Sequence, residues 1–274
     1  MKNYQDGGEA ILEAFRRLNA DYVISSPGSE WAPLWEALAR QKRDDAEGPT
    51  YIDCGHESIA VNMATAYTKI SGRMQVVLLH AGAGVMQGAM AVDAAGTMET
   101  PLVIMSGEVL GYGEGETDPG SQWYRNLSVA GGTQRLIEPM VKWSQQIASI
   151  DTLHETVVRA GEMAQRSPKG PVYLCVPMET MLEAWAKPVA PRTVPEAPKL
   201  QPLPEDIDSV AKTIAAAVCP VISVENIGPS QEAFDALVEL AELAAIPVVE
   251  GQGAFFGNFP KSNSLYLGQR IDPL

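Results

Sequence analysis

Apolar residues recur with helical spacing over 8–18, at Ala10, Ile11, Ala14, Phe15 and Leu18. They give way to a short apolar run, DYVIS, at 21–25. That change of period predicts a helix followed by a strand. The turn SPGSE then leads into an amphipathic helix over 31–41, and TYIDC at 50–54 reads as a second strand. A helix opens at Glu57 and runs to about Lys69, closing at SGR. MQVVLLHA at 74–81 is a third strand, rich enough in Val and Leu to be buried on both faces. Residues 82–98 are Gly/Ala-rich with helical character, TPLVIMSGE at 100–108 is a fourth strand, a helix spans 152–165, and GPVYLCVP at 170–177 is a further strand. Apolar strands separated by helices predict an α/β fold, a doubly wound parallel sheet with helices on both faces.

Two stretches interrupt the alternation. Residues 111–134 are long, polar and Gly-rich, which in a compact domain reads as a functional or mobile loop. Residues 188–204, PVAPRTVPEAPKLQPLP, are proline-rich and predict an extended, semi-rigid linker. The expected organisation is therefore a first domain over 1–187, a linker over 188–204 and a partial second α/β domain over 205–274. In that second part a helix is expected over 207–218, a strand in PVISVEN (220–226), a helix over 231–244 and a strand in IPVVEG (246–251). About 70 residues are few for a doubly wound domain. A partial sequence is expected in preference to a natural subunit, and its unpaired sheet edge should make the chain aggregation-prone on its own.

Charge and cysteine content narrow the function classes. A net charge of −14 argues against unaided binding to nucleic acid, which needs a basic face. No run approaches the ~18 apolar residues of a membrane span. The N-terminus lacks a basic-then-apolar signal pattern, so the cytoplasm is the default expectation. Cys54, Cys175 and Cys219 form no CxxC pair. Each sits beside apolar residues and is expected to be a small buried hydrophobe, not a metal ligand or half of a disulfide.

One acid stands out in CGHESIAVNMATAY (54–67), where Glu57 sits at the mouth of an otherwise soft apolar helix. Acids are favoured in the first turn of a helix, facing unpaired N–H groups and the positive end of the dipole. His56, Glu57 and Ser58 can thus be a polar helix start and nothing more. The competing reading is a working carboxyl group whose pKa the apolar helix raises by burial. Composition and spacing leave both open.

Seven blocks alter that balance: DYVISSPGSE, CGHESIAVNMATAYTKISG, VVLLHAGAG, TPLVIMSGE, EPMVKWS, GPVYLCVPME and, after the linker, PVVEGQGAFFGNFPKSNSLYLG. In this order and spacing the chain resembles the thiamine diphosphate-dependent decarboxylases and carboligases, a family that includes acetolactate synthase and benzoylformate decarboxylase. The resemblance implies that 1–187 is a pyrimidine-binding domain and 205–274 the opening of a central domain. The diphosphate-binding domain, with the GDG…N block that holds Mg2+, is absent from these residues. It implies thiamine diphosphate as cofactor, a 2-oxo acid as substrate, and a homodimer or tetramer. A diphosphate-binding domain, on the same full-length chain or a second subunit, is implied as partner. FAD is left unsupported by any residue here.

The resemblance also assigns roles. Glu57 corresponds to the acid that hydrogen-bonds the cofactor's aminopyrimidine. Ser29 matches a residue that meets the substrate carboxylate in benzoylformate decarboxylase; the alternative is a serine capping the next helix. His80 matches a proton-relaying histidine of that enzyme; the alternative is a packed polar residue at a strand end. Pro27, Gly28, Gly82, Ala83, Gly84 and Gln87 fall where the backbone approaches the cofactor. Gln122 falls near a glutamine facing the active site of acetolactate synthases. Lys142 and the tryptophans Trp31, Trp35, Trp123 and Trp143 read as structural. Asn263 stands where relatives often carry a second catalytic histidine, which weakens a pure benzoylformate decarboxylase reading. The function implied is acetolactate synthase-like decarboxylation of a 2-oxo acid with carboligation. The alternatives are a simple benzoylformate decarboxylase-like enzyme and a non-catalytic subunit that keeps the fold.

Overall fold

Every residue of β3 (Gln75–Leu79) and β4 (Leu102–Glu108) is buried, which fixes them as interior strands. The computed structural model describes residues 5–108, 131–187, 195, 201–251, 253, 254 and 256–269. β3 and β4 belong to a six-stranded sheet in the order β2-β1-β3-β4-β6-β5. Its other strands are β1 (Tyr22–Ser26), β2 (Thr50–Asp53), β5 (Ser144–Gln146) and β6 (Val172–Pro177). All pairings are parallel.

Alternate residues of these strands feed two cores. Val76, Leu78, Val103 and Met105 pack with α1 (Gly7–Arg17), α2 (Ala32–Arg43) and α6 (Ile150–Gln165). Val77, Leu79, Leu102 and Ile104 pack on the opposite face with α3 (Glu57–Ser71) and α4 (Ala83–Thr97). The period-2 alternation of strand side chains thus covers both faces with helices, as the apolar runs predict.

Local chemistry sets the helix ends. Asp6, Ser149 and His56 cap α1, α6 and α3 by accepting hydrogen bonds from the first-turn amides of Glu9, Asp151 and Ser58. Gly72, in the left-handed region, stops α3. Lys142, read as structural, donates to the carbonyls of Met163 and Arg166 at the end of α6, 2.6 Å each.

Three short elements were not expected from the sequence: α5 (Thr133–Ile137), β5 and α7 (Met178–Leu182). Each is five residues or fewer, too short for a period to emerge. Much of the loop expected over 111–134 falls outside the described residues, and so do Gln122 and Trp123.

The chain divides into two compact units, Met1–Pro198 and Lys199–Leu274. The second holds α8 (Pro204–Ala216), β7 (Ile222–Val224), α9 (Gln231–Ala244) and β8 (Val248–Glu250), with β7 and β8 paired in parallel. Val224, Leu237, Ala241, Val248 and Phe259 form its small core. Asn258 is fully buried and saturated: its side chain accepts from the amides of Ile227 and Gly228 and donates to the carbonyls of Glu225 and Phe256. Asn263 uses its carboxamide locally, donating to Glu242 and accepting from the Leu265 amide.

The expectation of three buried cysteines is corrected. Cys54 and Cys175 are buried, and burial raises both thiols' pKa values, but Cys219 is exposed. It lies in the stretch between α8, which has no buried residue, and β7, so its apolar neighbours in sequence do not cover it.

Candidate active site

The strand order reverses at β1: the chain passes from β1 outward to β2, then returns to β3 on the other side. In open parallel sheets, ligands bind beyond the carboxyl ends of the strands at such a switch point. The register makes these ends nearly level, with Ser26 of β1 opposite Leu79 of β3 and Leu79 opposite Ser106 of β4. Three segments therefore meet at one edge: 27–31 after β1, 54–57 after β2 and 80–84 after β3.

A 3-10 turn, Ser29–Trp31, follows β1. Trp31 is fully buried and its indole N–H donates to the Leu79 carbonyl at 2.9 Å, which ties the turn to the end of β3. Its neighbour Glu30 is also fully buried. Both Glu30 carboxylate oxygens lie 2.9 Å from His80 Nδ1, and Oε1 accepts from the Ala81 amide at 2.8 Å. Glycines make room for this cluster. A Cβ on Gly28 would fall 1.8 Å from His80 Nδ1, and one on Gly107 would fall 2.1 Å from Glu30 Cγ.

His80 is 24 % exposed at its side chain. Its pKa is raised above the ordinary histidine value, chiefly by the hydrogen bond to Glu30, with the charges of Glu30 and Glu57 adding to it and burial opposing it. Glu57 is the first residue of α3 and is half-buried. It precedes the buried stripe Ala60, Val61 and Ala64 of the same helix but is itself only partly covered, at the helix mouth. The fuller burial expected for it is therefore absent in this chain. Apolar side chains on the same two helices are exposed as well, among them Ile59 and Met63 on α3 and Met86 and Met90 on α4.

Gly84 joins the two titratable groups: a Cβ there would lie 2.7 Å from Glu57 Oε1 and 2.7 Å from His80 Cβ. Gly82 caps α4 with φ of 54°, a conformation that favours glycine. Ser58 Oγ donates to the Gln87 carbonyl at 2.7 Å, holding the starts of α3 and α4 together. The fold thus brings together Glu57, His80, Gly28, Gly82 and Gly84. Pro27 is half-buried beside them in sequence, and Ala83 and Gln87 are exposed on the first turns of α4. Ser29 is exposed at the start of the 3-10 turn and does not cap α2, whose N-cap is Trp31.

The reading from sequence missed Glu30 and Gly107. An acid in SPGSE looks like a solvated turn residue; its available signal was the histidine in LLHAGAG, an obvious partner for a buried carboxylate. Among the described residues, no group of three or more His, Cys, Asp or Glu side chains could hold a metal ion. A half-exposed carboxylate, a neighbouring histidine and glycine gaps beside both do suit a flat heteroaromatic ring with polar nitrogens.

Residues 5–123 match the family described as thiamine pyrophosphate enzyme, N-terminal TPP binding domain. Through these residues the chain is similar to thiamine diphosphate-dependent enzymes. It is 28% identical over 246 residues to acetolactate synthase from Bacillus subtilis, covering 89% of this chain and 40% of that protein. It is equally, 28%, identical over 268 residues to benzoylformate decarboxylase from Pseudomonas aeruginosa, covering 94% of this chain and 46% of the relative. The crystal structure of benzoylformate decarboxylase from Polynucleobacter necessarius superposes with a TM-score of 0.79 over 97% of this chain and 47% of that one; at 22% identity this speaks for the fold. The chain spans less than half the length of either curated relative.

Proposed function

We propose that this chain forms the pyrimidine-binding half of an acetolactate synthase-like enzyme that decarboxylates a 2-oxo acid and joins the product to a second carbonyl compound. The observation that carries this reading is Glu57, set at the carboxyl edge of the sheet with the Gly84 gap beside its carboxylate. Thiamine diphosphate, when bound, supplies the nucleophilic carbon and the electron sink for decarboxylation. Glu57 then holds a proton against a pyrimidine nitrogen. Pro27, Gly28, Gly82, Ala83, Gly84 and Gln87 line the approach, with Gly82 and Gly84 letting the backbone come close. His80 exchanges a proton with the reacting group, Ser29 meets the substrate carboxylate, and Gln122 joins the substrate side.

Mg2+ and the diphosphate belong to a separate diphosphate-binding domain, on the same full-length chain or on a second subunit. The assembly is a homodimer or tetramer in the cytoplasm. Among the described residues, no helix is long and apolar enough to cross a membrane. Residues 1–187 serve as the pyrimidine-binding domain, 188–204 as linker and 205–274 as the start of the central domain.

A benzoylformate decarboxylase-like reading is favoured by Ser29 and His80 at one edge. The turn role of Asn263, whose amide is engaged by Glu242 and Leu265, weighs against it. The test is Glu57→Gln in the assembled enzyme, assayed with pyruvate and with benzoylformate. Turnover should fall by at least about a hundredfold, within the usual range for losing a proton-transfer group. Unchanged turnover would overturn the proposal and favour a non-catalytic subunit.

A further inference from the structure

Glu30 has no part in the function just proposed, yet its environment is unusual for an acid. A carboxylate is rarely taken wholly out of water unless it is paired and hydrogen-bonded. Here both requirements are met by two neighbours, the His80 ring and the Ala81 amide. The surroundings are specific to that side chain. Gly107 of β4 leaves the space for the Glu30 Cβ and Cγ, and Gly28 leaves the space for the histidine ring. Trp31 nails the same turn to Leu79, the residue immediately before His80.

We propose that Glu30 is a positioning residue for His80: its buried carboxylate accepts the Nδ1 proton, fixes the ring's tautomer and rotation, and leaves Nε2 as the atom that exchanges protons at the active site. A ring nitrogen held by a carboxylate is the standard way a protein dictates which histidine nitrogen stays available. The Ala81 amide holds the carboxylate in turn, so the acceptor for the ring stays fixed in place. Glu30 and Glu57 are the acids whose charge acts on His80, Glu30 through direct contact and Glu57 through space; both favour its protonated form. The consequence for catalysis rests on the active-site reading above, but the tautomer and titration of His80 do not.

The test is nitrogen-15 NMR of the full chain with labelled histidine. The chain has three histidines, and His154, buried in α6, serves as an internal fold control. His80 should carry its proton on Nδ1 in the neutral form and titrate above an ordinary histidine. Glu30→Gln should shift that titration downward and mix the tautomers, while the His154 signal stays in place. Glu30→Asp, which keeps the charge but shortens the reach, should restore part of the upward shift.

In the assembled enzyme, Glu30→Gln should lower kcat more than it changes KM, and the pH limb set by His80 should move to lower pH. A His80 titration and tautomer untouched by Glu30→Gln, with His154 unchanged, would overturn the proposal whatever the activity shows. If the NMR shift appears but Glu57→Gln leaves turnover intact, the positioning role stands and the catalytic reading fails.

Discussion

Gly107 and Glu30 occupy one another's space: a Cβ on the glycine would sit 2.1 Å from Glu30 Cγ and 3.0 Å from its Cβ. Gly107 lies on a fully buried strand, so neither partner can move aside easily. Gly107→Ala should therefore overpack the edge of the sheet and cost about 1–3 kcal/mol of stability. The denaturation midpoint measures this. A midpoint equal to that of the parent would mean the turn around Glu30 relaxes freely.

The same acid sets a pH dependence. The folded-state pKa of His80 lies above its unfolded value, mainly through the Glu30 hydrogen bond. A raised histidine pKa stabilises the fold fully below the unfolded value, about 6.5, and that contribution is lost as pH rises through the folded value. Comparing parent and Glu30→Gln chains by denaturant titration across that window should show the parent losing this increment towards alkaline pH while the variant loses little. Parallel pH curves would contradict the assignment.

A third test concerns the gap between Glu57 and His80. Gly84→Ala introduces a methyl 2.7 Å from Glu57 Oε1 and 2.7 Å from His80 Cβ. Affinity of the assembled enzyme for thiamine diphosphate should weaken by at least about tenfold, equal to roughly 1.4 kcal/mol. Titration followed by tryptophan fluorescence gives the value. Unaltered affinity would remove Gly84 from the cofactor cradle.

Much of the architecture was legible because burial on both faces leaves a plain mark. VVLL and LVIM are continuous apolar runs, and they became β3 and β4. The helix expected over 231–244 matches α9, Gln231–Ala244, where Ser230 supplies the cap. β5 was invisible because Ser-Gln-Gln is polar, three residues long and paired on one side only. At the site, Glu57, His80 and the glycines stood out through the order of the blocks around them. Glu30 did not. Its burial is created by β4, whose Gly107 is distant in sequence, and no local pattern around SPGSE distinguishes a locked carboxylate from a solvated one.

The hydrogen bond from the Ala81 amide to Glu30 has a practical use. That N–H belongs to no helix or strand ladder and depends on one side chain for its protection. Its solvent exchange rate therefore reports, at a single position, how often the carboxylate lets go. Cofactor, substrate or mutation can each be read at Ala81 as a change in that opening, before any product is formed.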